Sequence, residues 1–203
     1  KKTLLVPLSS DKGLCGGLNS SVVREIKLMV SVNRNLYKIL SIGEKGTLAL
    51  MRPCADLLFK SISDVATPLN YPQAASIAHQ ISIAAADCDN IILVYSHFKN
   101  VISSIVTPIS LLSPKNFLAD FKSANKHEMS EPEKDLAQHY FYELYLSSQV
   151  YSCLLNNIAS EQSARMTAME NASKNAGEIL DKLTLNFNKA RQSKITMELC
   201  EII

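Results

Sequence analysis

The chain has 203 residues, and no apolar run within it approaches the ~20 residues that a helix needs to cross a bilayer. Direct membrane insertion is therefore not expected. No secretory or transit pattern opens it, because Lys1-Lys2 leads straight into a strand-like stretch. Paired cysteines are lacking too. Cys15, Cys54, Cys88, Cys153 and Cys200 are odd in number, scattered, and never spaced C-x-x-C, which points to a reducing compartment and away from a disulfide scaffold or a structural zinc site. His79, His97, His127 and His139 lack metal spacing such as H-E-x-x-H. No serine or cysteine stands in a nucleophile context such as G-x-S-x-G. A net charge of +2 is far from the clustered basic excess of a nucleic-acid binder. These gaps leave no expected catalytic residue, metal or cofactor, and no nucleic-acid partner. The last absence concerns chain breakers: after Pro132 there is no proline, and Gly177 is the one glycine.

What is present describes a globular domain and an appendage. Apolar residues at 47% and charged residues at 20% are ordinary for a folded domain, and the length supports one good core. Thr3–Leu8 is a short apolar run that stops at Ser9-Ser10-Asp11, so it reads as a buried strand. Asn19–Leu36 has helical spacing, with Val22, Val23, Ile26, Met29 and Val30 on one side. Tyr37–Ile42 is a second strand ended by Gly43, and Glu44–Met51 a helix closed by Pro53. Leu57–Ile62 is a third strand. Pro72 begins a helix with Ala74, Ile77, Ala78, Ile81 and Ala85 on its apolar face. Asn90–Tyr95 is a fourth strand, and Val101–Leu112, with Pro108 inside, belongs at a sheet edge. Strands alternating with helices imply right-handed crossovers and an α/β fold: a mostly parallel sheet with helices on both faces. Ser113–Met129 loses periodicity and reads as a linker.

Ser130-Glu131-Pro132-Glu133 has the residues of a helix start. A helix unbroken from there to the end would be a rod of roughly 100 Å, at 1.5 Å per residue. No domain of this size buries such a rod, so it must project. Tyr140, Phe141, Tyr142, Tyr145 and Tyr151 are expected at its junction with the core, and His139 with Glu143 forms a surface pair. Further on, Ala172, Ala176, Leu183, Phe187 and Ala190 recur at steps of three, four or seven, the spacing of a coiled-coil seam. Residues 1–130 hold 14 Lys/Arg against 9 Asp/Glu, while 131–203 hold 7 against 10. Within that acidic part Lys182, Lys189, Arg191 and Lys194 form a cationic band without an intervening acid, either a solvated face or a partner surface. Arg165, on the seam side among small neighbours, suits a partner's carboxylate.

The loop Ser9-Ser10-Asp11-Lys12-Gly13-Leu14-Cys15-Gly16-Gly17 lies between a strand and a helix, where phosphate cradles lie. Its glycines fit neither the P-loop nor the G-x-G-x-x-G spacing. A tight turn with Asn19 or Ser20 capping the next helix is the competing reading. Cys15 lies near a helix N-terminus, a place where thiols are activated, but no positioned base accompanies it.

Three strings in this chain resemble the gamma subunit of F-type ATP synthases. They are Ser-Asp-Lys-Gly-Leu-Cys-Gly from Ser10, Ala-Arg-Met-x-Ala-Met from Ala164, and Ala-Ser-Lys-Asn-Ala from Ala172. Arg191-Gln192 followed by Ile195-Thr196 and Glu198-Leu199 adds to the match, and Tyr71–Ala78 fits more loosely. The resemblance implies a Rossmann-like globular domain over 1–129 and a shaft helix over 130–203 that forms half of an antiparallel coiled coil. It implies a non-catalytic rotor, in a mitochondrial-like form, on the matrix side of the inner membrane as a peripheral subunit. Implied partners are the alpha and beta subunits, the delta and epsilon stalk subunits and the membrane c-ring. By motif, Arg191, Gln192, Thr196 and Glu198, with Arg165 further down the shaft, would engage the beta subunit's catch loop and neighbouring carboxylates. Lys12 and Cys15 would lie near a beta subunit. The family's N-terminal helix and its short last tail have no counterpart here, so the sequence is expected to be a fragment or a form that did not retain them. Ser193 stands where the family usually has Ala. The chloroplast form's dithiol insert is missing, so no thiol switch is expected. Two rivals remain: a nucleotide- or flavin-binding enzyme on a doubly wound sheet, and an unrelated coiled-coil adaptor.

Overall fold

The computed structural model describes residues 2–123 and 134–202. The elements run β1 (Thr3–Pro7), α1 (Leu18–Val32), β2 (Tyr37–Ile42), α2 (Glu44–Met51), β3 (Leu58–Ile62), α3 (Tyr71–Ala84), β4 (Asn90–Phe98), β5 (Ser104–Leu112), α4 (Pro114–Ser123) and α5 (Lys134–Ile202). The strands form one sheet in the order β3-β2-β1-β4-β5. β1, β2, β3 and β4 are parallel, and only the edge strand β5 runs antiparallel to its neighbour. Pro108 sits on that edge strand opposite Val94, where its missing N–H costs no ladder bond to a further strand.

Each face of the sheet has its own apolar layer. Val22, Val23, Ile26 and Val30 of α1 and Leu50 of α2 pack with Leu5, Ile39 and Val94 on one side. On the other, Ala74, Ile77, Ala78 and Ile81 of α3 join Tyr142, Leu146, Val150, Cys153 and Leu154 of α5 against Leu4, Val6, Leu40, Ile91 and Leu93. The expected α/β fold with helices on both faces is therefore present. The stretch of the long helix from Tyr142 to Leu154 is thus part of a core layer.

Four local readings need correction. Ser113–Met129 is not simply a linker: Ser113 is followed by α4, whose Phe117 rings lie 5.0 Å from Tyr142 and 6.0 Å from Tyr145. α4 has a short apolar face and is too brief for its period to stand out. The helix expected to run to Leu36 stops at Val32, because Asn33 is extended (φ −152°, ψ 79°), and Arg34–Leu36 form a separate 3₁₀ turn. α1 is also not capped by Asn19 or Ser20, since its N-cap is Gly17 with no side-chain bond. The helix at Pro72 starts one residue earlier, at Tyr71, with a reciprocal capping box between Asn70 and Gln73. The Ser130–Glu133 start signal lies outside the described residues.

α5 has 69 residues, roughly 100 Å at 1.5 Å per residue. From Met169 to Ile202 every residue but Asn188 is exposed. Among the described residues, no helix is long and apolar enough to cross a membrane.

Candidate functional site

The loop after β1 lies at the carboxyl ends of the parallel strands, where the chain's crossovers switch from one side of β1 to the other. In doubly wound sheets that crevice holds the ligand. Here α5 takes up part of it. Beyond Pro7 the sheet gap beside β4 is closed by α5: Asn157 Oδ1 accepts the Ser96 N–H at 3.3 Å, and the Ser160 hydroxyl donates to the Ser96 carbonyl at 2.9 Å. A cleft of about 280 Å³ remains between the loop and α5, lined by Ser10, Asp11, Lys12, Asn157, Glu161 and Arg165 among others. Three of its four charged groups already have partners. Arg165 donates to Glu161 at 2.6 Å and to Gln162 at 3.0 Å, while both Asp11 oxygens accept backbone N–H groups, from Glu44 and Val65.

The loop is held from within. Asn19 Oδ1 accepts the Ser10 N–H at 3.0 Å, and its Nδ2 donates to Ser10 Oγ at 2.8 Å and Cys15 Sγ at 3.2 Å. The Ser10 hydroxyl donates to the Lys12 carbonyl at 2.7 Å. Leu14 (φ 61°) and Gly16 (φ 59°) turn the chain sharply, and Leu14 stands 72% exposed. Cys15 is only 3% exposed and sits behind the loop, where its sulfur accepts from Asn19. Lys12 is exposed. Leu14 escaped the sequence reading, although its place between two glycines in a turn marks a side chain that has nowhere to bury. Gly46 is required by close packing, because a Cβ there would run into the Ser9 side chain.

Higher on α5, Arg191, Gln192, Thr196 and Glu198 are exposed. Thr196 donates to the Gln192 carbonyl at 2.9 Å, and Glu198 pairs with Lys194 at 3.7 Å. At 100° per residue, Lys182 and Lys189 share one side of the helix while Arg191 and Lys194 lie on others. The cations thus ring the shaft. The seam is bare, with Leu183 59% and Phe187 68% exposed. The structure brings Lys12 and Arg165 to one cleft with Cys15 behind the loop, and keeps the Arg191–Glu198 group apart on the shaft. The aromatic group at the junction divides. Tyr142 is buried and donates to the Leu112 carbonyl at 3.2 Å, whereas Tyr140 is exposed. His139 and Glu143 pair at 3.4 Å on the surface.

A sheet domain whose ligand crevice is partly filled by its own helix, and which extends that helix bare for half its length, defines a shaft-bearing subunit of a larger assembly. The family model described as ATP synthase matches residues 1–203. The ATP synthase gamma chain of Pelagibacter ubique is 36% identical over 210 residues, covering 100% of this chain and 72% of that one. The mitochondrial gamma subunit of the F(1) complex from Rattus norvegicus is 37% identical over 208 residues, covering 100% and 74%. A solved chain from the central stalk and c-ring of the Tetrahymena thermophila mitochondrial ATP synthase is 51% identical, with a TM-score of 0.81, covering 85% of this chain and 77% of that one. This chain belongs to the ATP synthase gamma-subunit family. It spans between 65% and 74% of the length of curated relatives such as these.

Proposed function

We propose that this chain is the central-stalk rotor of a proton-translocating ATP synthase. It does no bond chemistry, and couples rotation of the c-ring to the conformational cycle of the catalytic beta subunits. The observation that carries this reading is the bare half of α5, stiff, free of proline and lined by an uncovered apolar seam. An asymmetric shaft biases one beta conformation over another only through contacts that differ between them. Arg191, Gln192, Thr196 and Glu198 are the polar groups offered for that role. Lys12 and the exposed Leu14 are offered near the base of the shaft, with Cys15 holding their loop in shape. Arg165 joins them only by exchanging its Glu161 partner for a carboxylate of another subunit.

The division of labour is a globular base over 1–129 and a helix over 130–203, whose stretch from Tyr142 to Leu154 packs into the base before the rest projects as the shaft. The partners are the alpha and beta subunits of the head, the delta and epsilon stalk subunits and the c-ring. The place is the matrix side of the mitochondrial inner membrane, as a peripheral subunit. The nucleotide-enzyme reading loses support with the partly filled crevice. Co-purification tests the assignment: a tagged full-length version of this chain should bring down alpha and beta subunits together. Recovery of the tagged chain without either would overturn it and revive the coiled-coil adaptor.

A further inference from the structure

The stripe of α5 that faces the sheet changes character partway along. Tyr142, Leu146, Val150 and Leu154 are buried and apolar. The same stripe then continues as Asn157 and Ser160, 3% and 1% exposed, and on to Ser163. Polar groups at buried helix positions need partners, and these find theirs on the sheet. Elsewhere on α5 hydroxyls bond back into their own helix, Thr184 to the Leu180 carbonyl and Thr196 to that of Gln192, the usual habit of Ser and Thr in helices. Ser160 and Ser163 do not. Ser160 donates to the Ser96 carbonyl at 2.9 Å and Ser163 to the Val101 carbonyl at 2.6 Å.

The acceptors explain the placement. β1 bonds β4 as far as Leu8 N–H to the Val94 carbonyl at 2.8 Å. Two residues later Ser96 turns its N–H and C=O to the same side, where no strand follows. Asn157 and Ser160 take up both groups, doing with side chains what a longer β1 would do with its backbone. Ser163 then holds the turn between β4 and β5 at Val101.

Apolar contact is non-directional, whereas hydrogen bonds weaken steeply when misaligned. The apolar stripe therefore keeps α5 on the sheet, and the polar stripe fixes its angle about its own axis. We propose that Asn157, Ser160 and Ser163 form a torsional latch between the shaft and the β4–β5 hairpin, which makes base and shaft turn as one body. They are positioning residues, and the proposal rests on the rotor reading above.

The test uses the full-length chain in the complete complex, reconstituted into proteoliposomes. Asn157→Leu/Ser160→Ala/Ser163→Ala should keep its rate of ATP hydrolysis while losing proton pumping per ATP. Ser163→Thr, which keeps the hydroxyl at a partly exposed site, should pump as the wild type does. An assembled triple variant with the wild-type ratio of pumping to hydrolysis overturns the latch. If the triple variant does not assemble, Ser163→Ala decides: amide exchange on either side of Ser163 should accelerate about tenfold, and unchanged exchange overturns the proposal. Failure of the wild-type complex itself to pump would instead count against the rotor reading.

Discussion

Cys153 lies in the apolar layer between α5 and the sheet, where burial pushes its thiol from the ordinary 9.0 up to about 12. The same cause raises Cys88. The folded chain thus holds these protons more tightly than the unfolded chain does. For Cys153 that stability is complete below about pH 9 and is lost as pH climbs toward about 12, at roughly 1.4 kcal/mol per pH unit. Urea unfolding at about pH 8 and about pH 10.5 checks this, because the wild type should lose more stability between them than Cys153→Ala does. Equal losses would mean that another group titrates. Residue-scale roles were unevenly legible in the sequence. The His139–Glu143 pair could be read from i,i+4 spacing, and the same spacing joins Glu161 to Arg165. There the carboxylate that Arg165 meets lies on its own helix. Asn19 reads from the sequence only as a cap, a role it does not fill. It stands where a cap would stand, and only the folded loop shows its amide spent on Ser10 and Cys15.

Among the elements, punctuation decided what could be read. Gly43 and Pro53 bracket α2, and both β2 and α2 fall at the expected residues. α4 has no such marks beyond Pro114, and its one strong anchor, Phe117, meets aromatics on α5 that lie far along the chain. α5 had to be long, but where core ends and shaft begins follows from contacts with β4 that no periodicity encodes. The two halves should respond differently to truncation. Leu146→Ala empties a buried site and should cost roughly 2–5 kcal/mol in denaturant unfolding. Leu183→Ala touches an exposed seam residue and should stay within about 0.5 kcal/mol in the chain alone. A large loss at Leu183 would mean that the seam is covered within a single chain.

At the scale of the whole molecule, the sheet supplies a base, its own helix takes up part of the crevice where a doubly wound enzyme would bind its ligand, and the rest of that helix meets only solvent. Such an object makes sense inside other subunits. Arg191→Ala with Gln192→Ala should therefore lower coupled turnover of the assembled complex while leaving the unfolding of the chain unchanged within about 0.5 kcal/mol. Undiminished synthesis would remove those two residues from the contact set. The most direct test of the rotor reading is reconstitution with alpha and beta subunits, with and without a full-length version of this chain. The account predicts that ATP hydrolysis by the complex depends on the chain. Identical hydrolysis in its presence and absence would contradict it.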